Sequence, residues 1–173
     1  MNVEQIMTRL VKTCSPDDSL DTAARLMWDN DCGCVPVVDE QDRCVGVVTD
    51  RDICMAAYTQ GQRLGDIKVR AAMSGACHTA GPHDPVAAAE RTMQEHEVRR
   101  LPVVDEDGHV VGIMSLADIT CEAARESHAK RGDVTLEEVA VTLSAVCRPR
   151  NGGDLQPVAT ARRRTSPGAV AMR

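Results

Sequence analysis

The chain has 173 residues and a formal net charge of −6, with one Trp, one Tyr and no Phe. This length suits one compact domain of two similar halves plus a tail. The acidic balance argues against a general nucleic-acid binder, and the scarcity of aromatic residues argues against base stacking. No apolar run reaches the roughly 18 residues of a membrane span, and the N-terminus has no signal-peptide pattern, so we expect a cytoplasmic protein.

An internal repeat organises the sequence. Shifted by 66 positions, Val3–Ile53 aligns with Val69–Ile119 without a gap, and the run Pro36–Glu40 recurs as Pro102–Glu106. Repeats near this period indicate units that cannot bury their apolar faces alone. We therefore predict two packed units, over residues 1–62 and 63–128.

Each unit shows the same order of predicted elements, β-α-β-β-α. An extended piece is followed by a capped amphipathic helix, a hairpin of two strands and a second helix. In the first unit these features are Thr13-Cys14, the N-cap Asp18, the strands Val35–Val38 and Val45–Val48, and a helix start near Thr49. In the second they are Thr79-Ala80, the N-cap Asp84 with Pro85 in the first helical position, Leu101–Val104, Val111–Met114 and a helix start near Ser115.

The repeat stops after Ile119. Thr135 and Glu138 form a capping-box signal, and Leu136, Val139 and Leu143 lie on one helical stripe. We predict a helical extension over 129–150, packed on the repeats or on a partner. The Gly-, Pro- and Arg-rich residues 151–173 predict a disordered tail.

The junction between the last strand and the last helix carries the candidate chemistry. Thr49 and Asp52 stand there in the first unit, and Ser115 and Asp118 stand there in the second. Unpaired N–H groups at a helix start favour an anion, a hydroxyl can donate to phosphate, and a carboxylate one turn on can accept from ribose hydroxyls. The alternative is that each pair is only a capping box, which satisfies the helix's own first amides.

These motifs resemble a pair of CBS domains, the Bateman module named after the repeat in cystathionine β-synthase. The resemblance covers about three quarters of the chain and rests on the following motifs: Ile6-Met7-Thr8, Val35-Pro36-Val37-Val38-Asp39 and Gly46-Val47-Val48-Thr49-Asp50-Arg51-Asp52, with their second copies Ala72-Met73-Ser74, Leu101-Pro102-Val103-Val104-Asp105 and Gly112-Ile113-Met114-Ser115-Leu116-Ala117-Asp118. It implies an α/β (α+β) fold of two repeats with pseudo-two-fold symmetry and two clefts. It also implies adenosine-containing ligands: AMP, ADP, ATP or S-adenosylmethionine.

Carried over by the resemblance, the ligand residues fall into two sets. The first cleft would use Cys14, Val35, Pro36, Thr49, Arg51 and Asp52. The second would use Ala80, Leu101, Pro102, Ser115 and Asp118. Separately from the resemblance, Arg99-Arg100 stands just before Leu101-Pro102, so Arg100 is either part of a solvated pair or a further phosphate contact. Because Arg51 lies in the opening turn of its helix, we predict that the first cleft binds phosphorylated adenosine better.

The chain is thus predicted to be a regulatory module, not an enzyme, that acts on a protein partner in trans. We expect a homodimer with Trp28 at a helix–helix or dimer surface. The alternative is a redox- or metal-responsive stress protein without nucleotide binding, since the chain has eight cysteines. Cys14 and Cys34 would then be the functional thiols, with lowered pKa values beside the clefts. Cys32-x-Cys34 with Cys77-His78 has poor spacing for a structural zinc site.

Overall fold

The computed structural model describes residues 1–127 and 134–147. It contains two antiparallel hairpins and five α-helices in this part of the chain. The elements are α1 (Leu20–Asp29), β1 (Cys34–Val38), β2 (Cys44–Thr49), α2 (Asp50–Gln60), α3 (Val86–His96), β3 (Arg100–Val104), β4 (Val110–Ser115), α4 (Leu116–Ser127) and α5 (Leu136–Val146). The predicted hairpins and helices are confirmed. The predicted tail, residues 151–173, lies outside the described residues.

The first extended piece of each repeat forms an isolated bridge to the hairpin. Cys14 pairs in parallel with Val37 of β1, and Ala80 pairs in parallel with Val103 of β3. Within each hairpin the two strands pair in the same register, so that Cys34 faces Thr49 and Arg100 faces Ser115. This register brings the residue that opens each hairpin beside the hydroxyl at the helix start.

Two predicted helix caps are wrong. Ser19, not Asp18, caps α1, because its hydroxyl accepts from the Thr22 N–H. Pro85 is the N-cap of α3 rather than its first residue. The carboxylates of Asp18 and Asp84 instead accept 2.7 Å hydrogen bonds from backbone N–H groups three residues upstream, so they close the turn before the helix.

The two repeats exchange their leading segments. The first apolar core belongs to the first repeat and includes Ile67 and Val69 from the connection between the repeats. The second core belongs to the second repeat and includes Val3 and Met7 from the N-terminus. Each repeat is therefore completed by a segment that precedes the other in the sequence.

Close approach of the exchanged segments explains one glycine in each hairpin. A Cβ on Gly112 of β4 would lie 2.6 Å from Met7 Sδ and 3.0 Å from the Thr8 carbonyl oxygen. A Cβ on Gly46 of β2 would lie 3.0 Å from the Ser74 carbonyl oxygen. Only a residue without a side chain allows the crossing backbone to pair at these positions.

Helix α5 extends the second repeat. It packs on α3 and α4, with Val139, Thr142 and Val146 buried against them. Its start is the capping box expected from the sequence, because Thr135 accepts from the Glu138 N–H and Glu138 accepts from the Thr135 N–H. In the described part of the chain, no helix has the length and apolar character needed to cross a bilayer.

Candidate ligand-binding cleft

Each strand–helix junction is a complete capping box. Ser115 Oγ donates to Asp118 Oδ2 over 2.6 Å, the Ser115 N–H donates to the same oxygen over 2.7 Å, and the Asp118 N–H donates back to Ser115 Oγ over 3.3 Å. Thr49 and Asp52 repeat this pattern at 2.6, 3.0 and 3.2 Å. In this structure both hydroxyl protons are therefore given to the neighbouring carboxylate, as the capping alternative expected.

A cavity of about 400 Å³ opens beside the second of these boxes. The second repeat lines it with Ile113, Ser115, Asp118 and Arg100, and the N-terminal segment and first repeat line it with Thr8, Leu10, Val11, Lys12, Asn30, Asp31, Cys32, Gly33 and Cys34. The volume lies within the range of about 300–1,000 Å³ typical of small-molecule pockets. Because both repeats contribute walls, a ligand here would touch both at once.

The charge around this cavity is mixed. Lys12 and Arg100 supply two cationic groups, while Asp31 and Asp118 supply two carboxylates. Arg100 is the first residue of β3 and is exposed. Its Nη2 atom lies 3.3 Å from where a Cβ on Gly33 would be, so the guanidinium reaches the loop before β1. Cations and carboxylates on one cavity suit a ligand with an anionic end and a hydroxylated end.

A second hollow, of about 560 Å³, adjoins the cavity along Asp31, Cys32, Gly33 and Arg100. Exposed Trp28 contributes to its far wall. Arg100 thus borders both hollows, so its guanidinium could contact a ligand bound in either one.

The structure brings together three of the predicted site residues, Arg100, Ser115 and Asp118. The others divide between the core and the first junction. Four apolar members, Cys14, Val35, Ala80 and Leu101, are at most 5 % exposed, and Pro36 and Pro102 are buried as well. These six line neither of the two hollows, and their predicted ligand contacts stay predictions.

Residues of the first repeat form the wall that sequence reasoning missed. Lys12, the loop of residues 30–33 and Cys34 share the cavity with Ser115, and the N-terminal segment crosses to the second repeat just before Lys12. One crossing contact is the pairing of Thr8 with Ile113 of β4. A 66-residue repeat contains no local signal for this exchange.

The first junction has a different environment. Its Thr49 faces Cys34 across the hairpin, where Ser115 faces Arg100. His78 and His96 occupy the positions that correspond to Lys12 and Asn30, and their rings stack with centroids 3.6 Å apart and an interplanar angle of 14°. Arg51 is exposed on the first turn of α2 and borders neither hollow. The cavity of about 400 Å³ thus lies beside the second junction, and the predicted preference for the first cleft stays a prediction.

The thiols named in the redox alternative do not have lowered pKa values. Burial, with a smaller contribution from Asp18, raises the pKa of Cys14 to about 12. Burial also raises the pKa of Cys34 to about 11, although the Arg100 guanidinium opposes the shift. Both thiols are therefore poor nucleophiles near neutral pH.

The residues considered for zinc are also not gathered into one site. Cys77 lies against Cys44, with the two sulfur atoms 3.1 Å apart. In residues 1–127 and 134–147, the side chains close enough to share an ion are Asp105, Asp107 and His109 on the turn of the second hairpin. Asp105 accepts backbone hydrogen bonds within that turn, which lower the pKa of its carboxyl. The turn therefore explains this cluster without a metal.

Comparison with known proteins decides the family. The sequence pattern of the CBS domain matches residues 3–58 and 65–124. The chain belongs to the CBS domain family. It is 38% identical over 118 residues to the CBS domain-containing protein YhcV of Bacillus subtilis, which covers 68% of this chain and 82% of YhcV.

A CBS pair also forms part of larger relatives. The chain is 36% identical over 118 residues to homoserine O-acetyltransferase of Methanococcoides burtonii, spanning 68% of this chain and only 23% of that protein.

Solved structures of CBS pairs share the fold. The CBS pair of protein MJ0100, in complex with 5′-methylthioadenosine and S-adenosyl-L-methionine, matches with a TM-score of 0.64 and 26% identity, over 76% of this chain and 98% of that one. CBSX2 of Arabidopsis thaliana in complex with AMP matches with a TM-score of 0.62 and 27% identity, over 75% and 98% of the two chains.

Proposed function

We propose that this CBS pair is a cytoplasmic regulatory module that binds an adenosine-containing nucleotide in the cleft beside Ser115 and Asp118. The observation that carries the proposal is the cavity of about 400 Å³ whose lining combines the cations Lys12 and Arg100 with the capping-box residues Ser115 and Asp118. Solved relatives in complex with AMP, or with methylthioadenosine and S-adenosylmethionine, support an adenosine ligand. Titration with each of AMP, ADP, ATP and S-adenosylmethionine identifies the preferred ligand.

The cap assigns separate tasks to the ligand residues. Asp118 uses Oδ2 for its capping bonds, so Oδ1 is the oxygen that accepts from the ribose hydroxyls. Ser115 already donates its proton to Asp118, so the phosphate takes its hydrogen bonds from Arg100 and its charge balance from Lys12. The hydroxyl thus supports the carboxylate instead of donating to phosphate.

The signal is a population shift. The cavity walls come from both repeats, so a bound nucleotide favours arrangements in which the N-terminal segment and the hairpin β3–β4 stay together. The surface shown to a protein partner changes with that arrangement. We further propose a homodimer through α1 and α2, because Trp28 and Tyr58 are 87% and 81% exposed there.

Titration calorimetry with AMP and ATP tests the proposed cleft. Asp118→Ala and Asp52→Ala form a matched pair, because both remove the acid of a capping box with nearly the same bond lengths. Each therefore costs similar helix stability, about 1 kcal/mol, which thermal melting checks. We expect Asp118→Ala to abolish the tighter binding event and Asp52→Ala to retain it.

The opposite outcomes have distinct meanings. If Asp52→Ala loses the tighter binding event and Asp118→Ala retains it, the nucleotide binds at the first junction instead. If the wild-type chain binds none of AMP, ADP, ATP and S-adenosylmethionine, the nucleotide-sensing function is wrong.

A further inference from the structure

Two cysteines from distant parts of the sequence meet at the junction of the repeats. Cys44 begins β2, and Cys77 lies on the connection between the repeats, yet their sulfur atoms are 3.1 Å apart. Both side chains are half-buried. The described thiols Cys32, Cys54, Cys121 and Cys147 are exposed instead.

Packing alone does not require sulfur at this place. In the 66-residue register, Cys44 corresponds to Val110 and Cys77 corresponds to Val11. Valine therefore occupies both positions in the other copy of the same fold, and the thiol pair is a feature of one copy only.

The backbone on both sides of Cys77 is held in place. The Ser74 N–H donates to the Val47 carbonyl of β2 over 2.9 Å, and the Val47 N–H donates to Ser74 Oγ over 3.0 Å. After Cys77, the Ala80 N–H donates to the Pro102 carbonyl of the second repeat over 3.0 Å. Cys77 thus lies on a segment whose backbone is hydrogen-bonded to both repeats, which holds its thiol against Cys44.

The pair is also chemically asymmetric. A hydrogen bond from the Cys77 thiol lowers the pKa of Cys44, and the same interaction, with burial, raises the pKa of Cys77. Cys44 is then the thiolate that reacts first, and Cys77 is the thiol that follows.

We propose that Cys44 and Cys77 are a redox-active dithiol that closes reversibly to a disulfide by exchange with a low-molecular-weight disulfide. The Cys44 thiolate attacks one sulfur of that disulfide, forms a mixed disulfide and releases one small thiolate, which takes up a proton. Cys77 loses its proton, attacks the Cys44 sulfur and displaces the second small thiolate. Two protein thiols are oxidised to one disulfide, and one small disulfide is reduced to two thiols.

The bond would fasten β2 of the first repeat to the segment that enters the second. Cys77 directly precedes His78, whose ring stacks on His96 at the end of α3. Oxidation would therefore restrain the segment that carries His78, and it would restrict the unfolded chain by closing the loop from Cys44 to Cys77. The cavity beside Ser115 contains neither cysteine.

The test uses the full chain with oxidised glutathione, followed by alkylation of the remaining thiols, proteolysis and mass spectrometry. Cys44→Val and Cys77→Val are the matched variants, since the other repeat carries valine at both places. We expect a Cys44–Cys77 peptide that dithiothreitol removes, a higher Tm for the oxidised wild type, and no rise in either variant. In either variant the remaining half-buried thiol has no partner to displace glutathione, so a mixed disulfide formed on it should persist.

Two results would overturn the proposal. One is that Cys44 and Cys77 both remain free thiols, and are therefore labelled by alkylation, at a glutathione concentration that has already modified the exposed Cys54. The other is that disulfides form chiefly between other cysteines. AMP titration of the reduced chain measures nucleotide binding separately, so failure of one idea leaves the other standing.

Discussion

Replacing Glu90 by Gln should stabilise the protein at neutral and alkaline pH. Glu90 lies on α3 beneath α5 and is only 4% exposed. Its Oε1 atom has no hydrogen-bond partner among the described residues. Thr142 of α5 donates to the carboxylate and itself accepts from Gln94 Nε2 over 2.8 Å. The buried carboxylate is therefore only partly satisfied.

Burial and a neighbouring acid both raise the pKa of Glu90. Desolvation and then the charge of Glu138 raise the pKa of Glu90 above its ordinary value of 4.5, while the bond from Thr142 opposes them. Hydrogen bonds from Thr135 lower the pKa of Glu138, so Glu138 keeps its charge and repels Glu90. The neutral form of Glu90 fits the interface between α3 and α5 better than the charged form.

The sign of the pH dependence follows from this shift. A carboxyl whose pKa is raised by folding binds more protons in the folded state between its unfolded and folded pKa values. The stability that Glu90 contributes through its bound proton is therefore fully present below about pH 4.5, the ordinary pKa. It is lost as the pH rises through the raised pKa of the folded state. The Gln variant does not lose this contribution, so its advantage over the wild type grows with pH.

The magnitude comes from the charge on the unpartnered carboxylate, which the substitution removes. An unsatisfied buried acceptor costs about 1–3 kcal/mol, and more when charged. The Gln amide keeps a polar atom in the same place, so we expect the lower end, about 1 kcal/mol, or ~2–4 °C in Tm for a chain of this size.

Thermal melting of the wild type and of Glu90→Gln at pH 4.5, 6 and 8 measures the difference between their Tm values. Other titrating groups are the same in both proteins, so their effects cancel in this difference. Glu122→Gln is the control, because Glu122 of α4 is equally buried but accepts a 2.7 Å bond from Arg125 Nη2. Removing that charge should not raise Tm. A lower Tm for Glu90→Gln at pH 8, or a difference that is the same at all three pH values, would refute the reasoning.

Arg100→Ala should weaken AMP binding by roughly 10- to 150-fold, from the loss of about 1.5–3 kcal/mol of charge-assisted bonding, while Arg51→Ala leaves it unchanged. Equal effects of the two substitutions in calorimetry would contradict the choice of cleft. Gly112→Ala should lower the free energy of unfolding by about 1–3 kcal/mol in urea titration, because the new Cβ would lie 3.0 Å from the Thr8 carbonyl oxygen of the crossing backbone as well as 2.6 Å from Met7 Sδ; an unchanged value would argue against the crossing. Trp28→Arg should convert a dimer to a monomer in sedimentation, and a wild-type monomer at tens of micromolar would exclude the proposed dimer.

The order of elements could be predicted because its causes are local. Short apolar runs in Val45–Val48 and Val111–Met114 predict strands, and the helical stripe from Leu136 to Leu143 predicts α5. Each pattern within the repeat occurs in both copies, so comparison of the two copies identifies the Thr49 and Ser115 junctions. The caps of α1 and α3 were misplaced, because Asp18 and Asp84 bond backwards into their turns. An Asp side chain can accept a hydrogen bond from a preceding turn or from a helix start, and the local sequence does not distinguish the two roles.

Tertiary structure alone decided which residues face the cleft. The sequence by itself determined the repeat, the junction residues Ser115 and Asp118 and the family resemblance. It contained no sign that the N-terminal segment crosses to the second repeat, which brings Lys12 to the cavity and Met7 against Gly112. It also could not pair Cys44 with Cys77, because their contact spans 33 positions and depends on that exchange. Local pattern sets which face of an element is apolar, whereas long-range packing selects the partner that covers it.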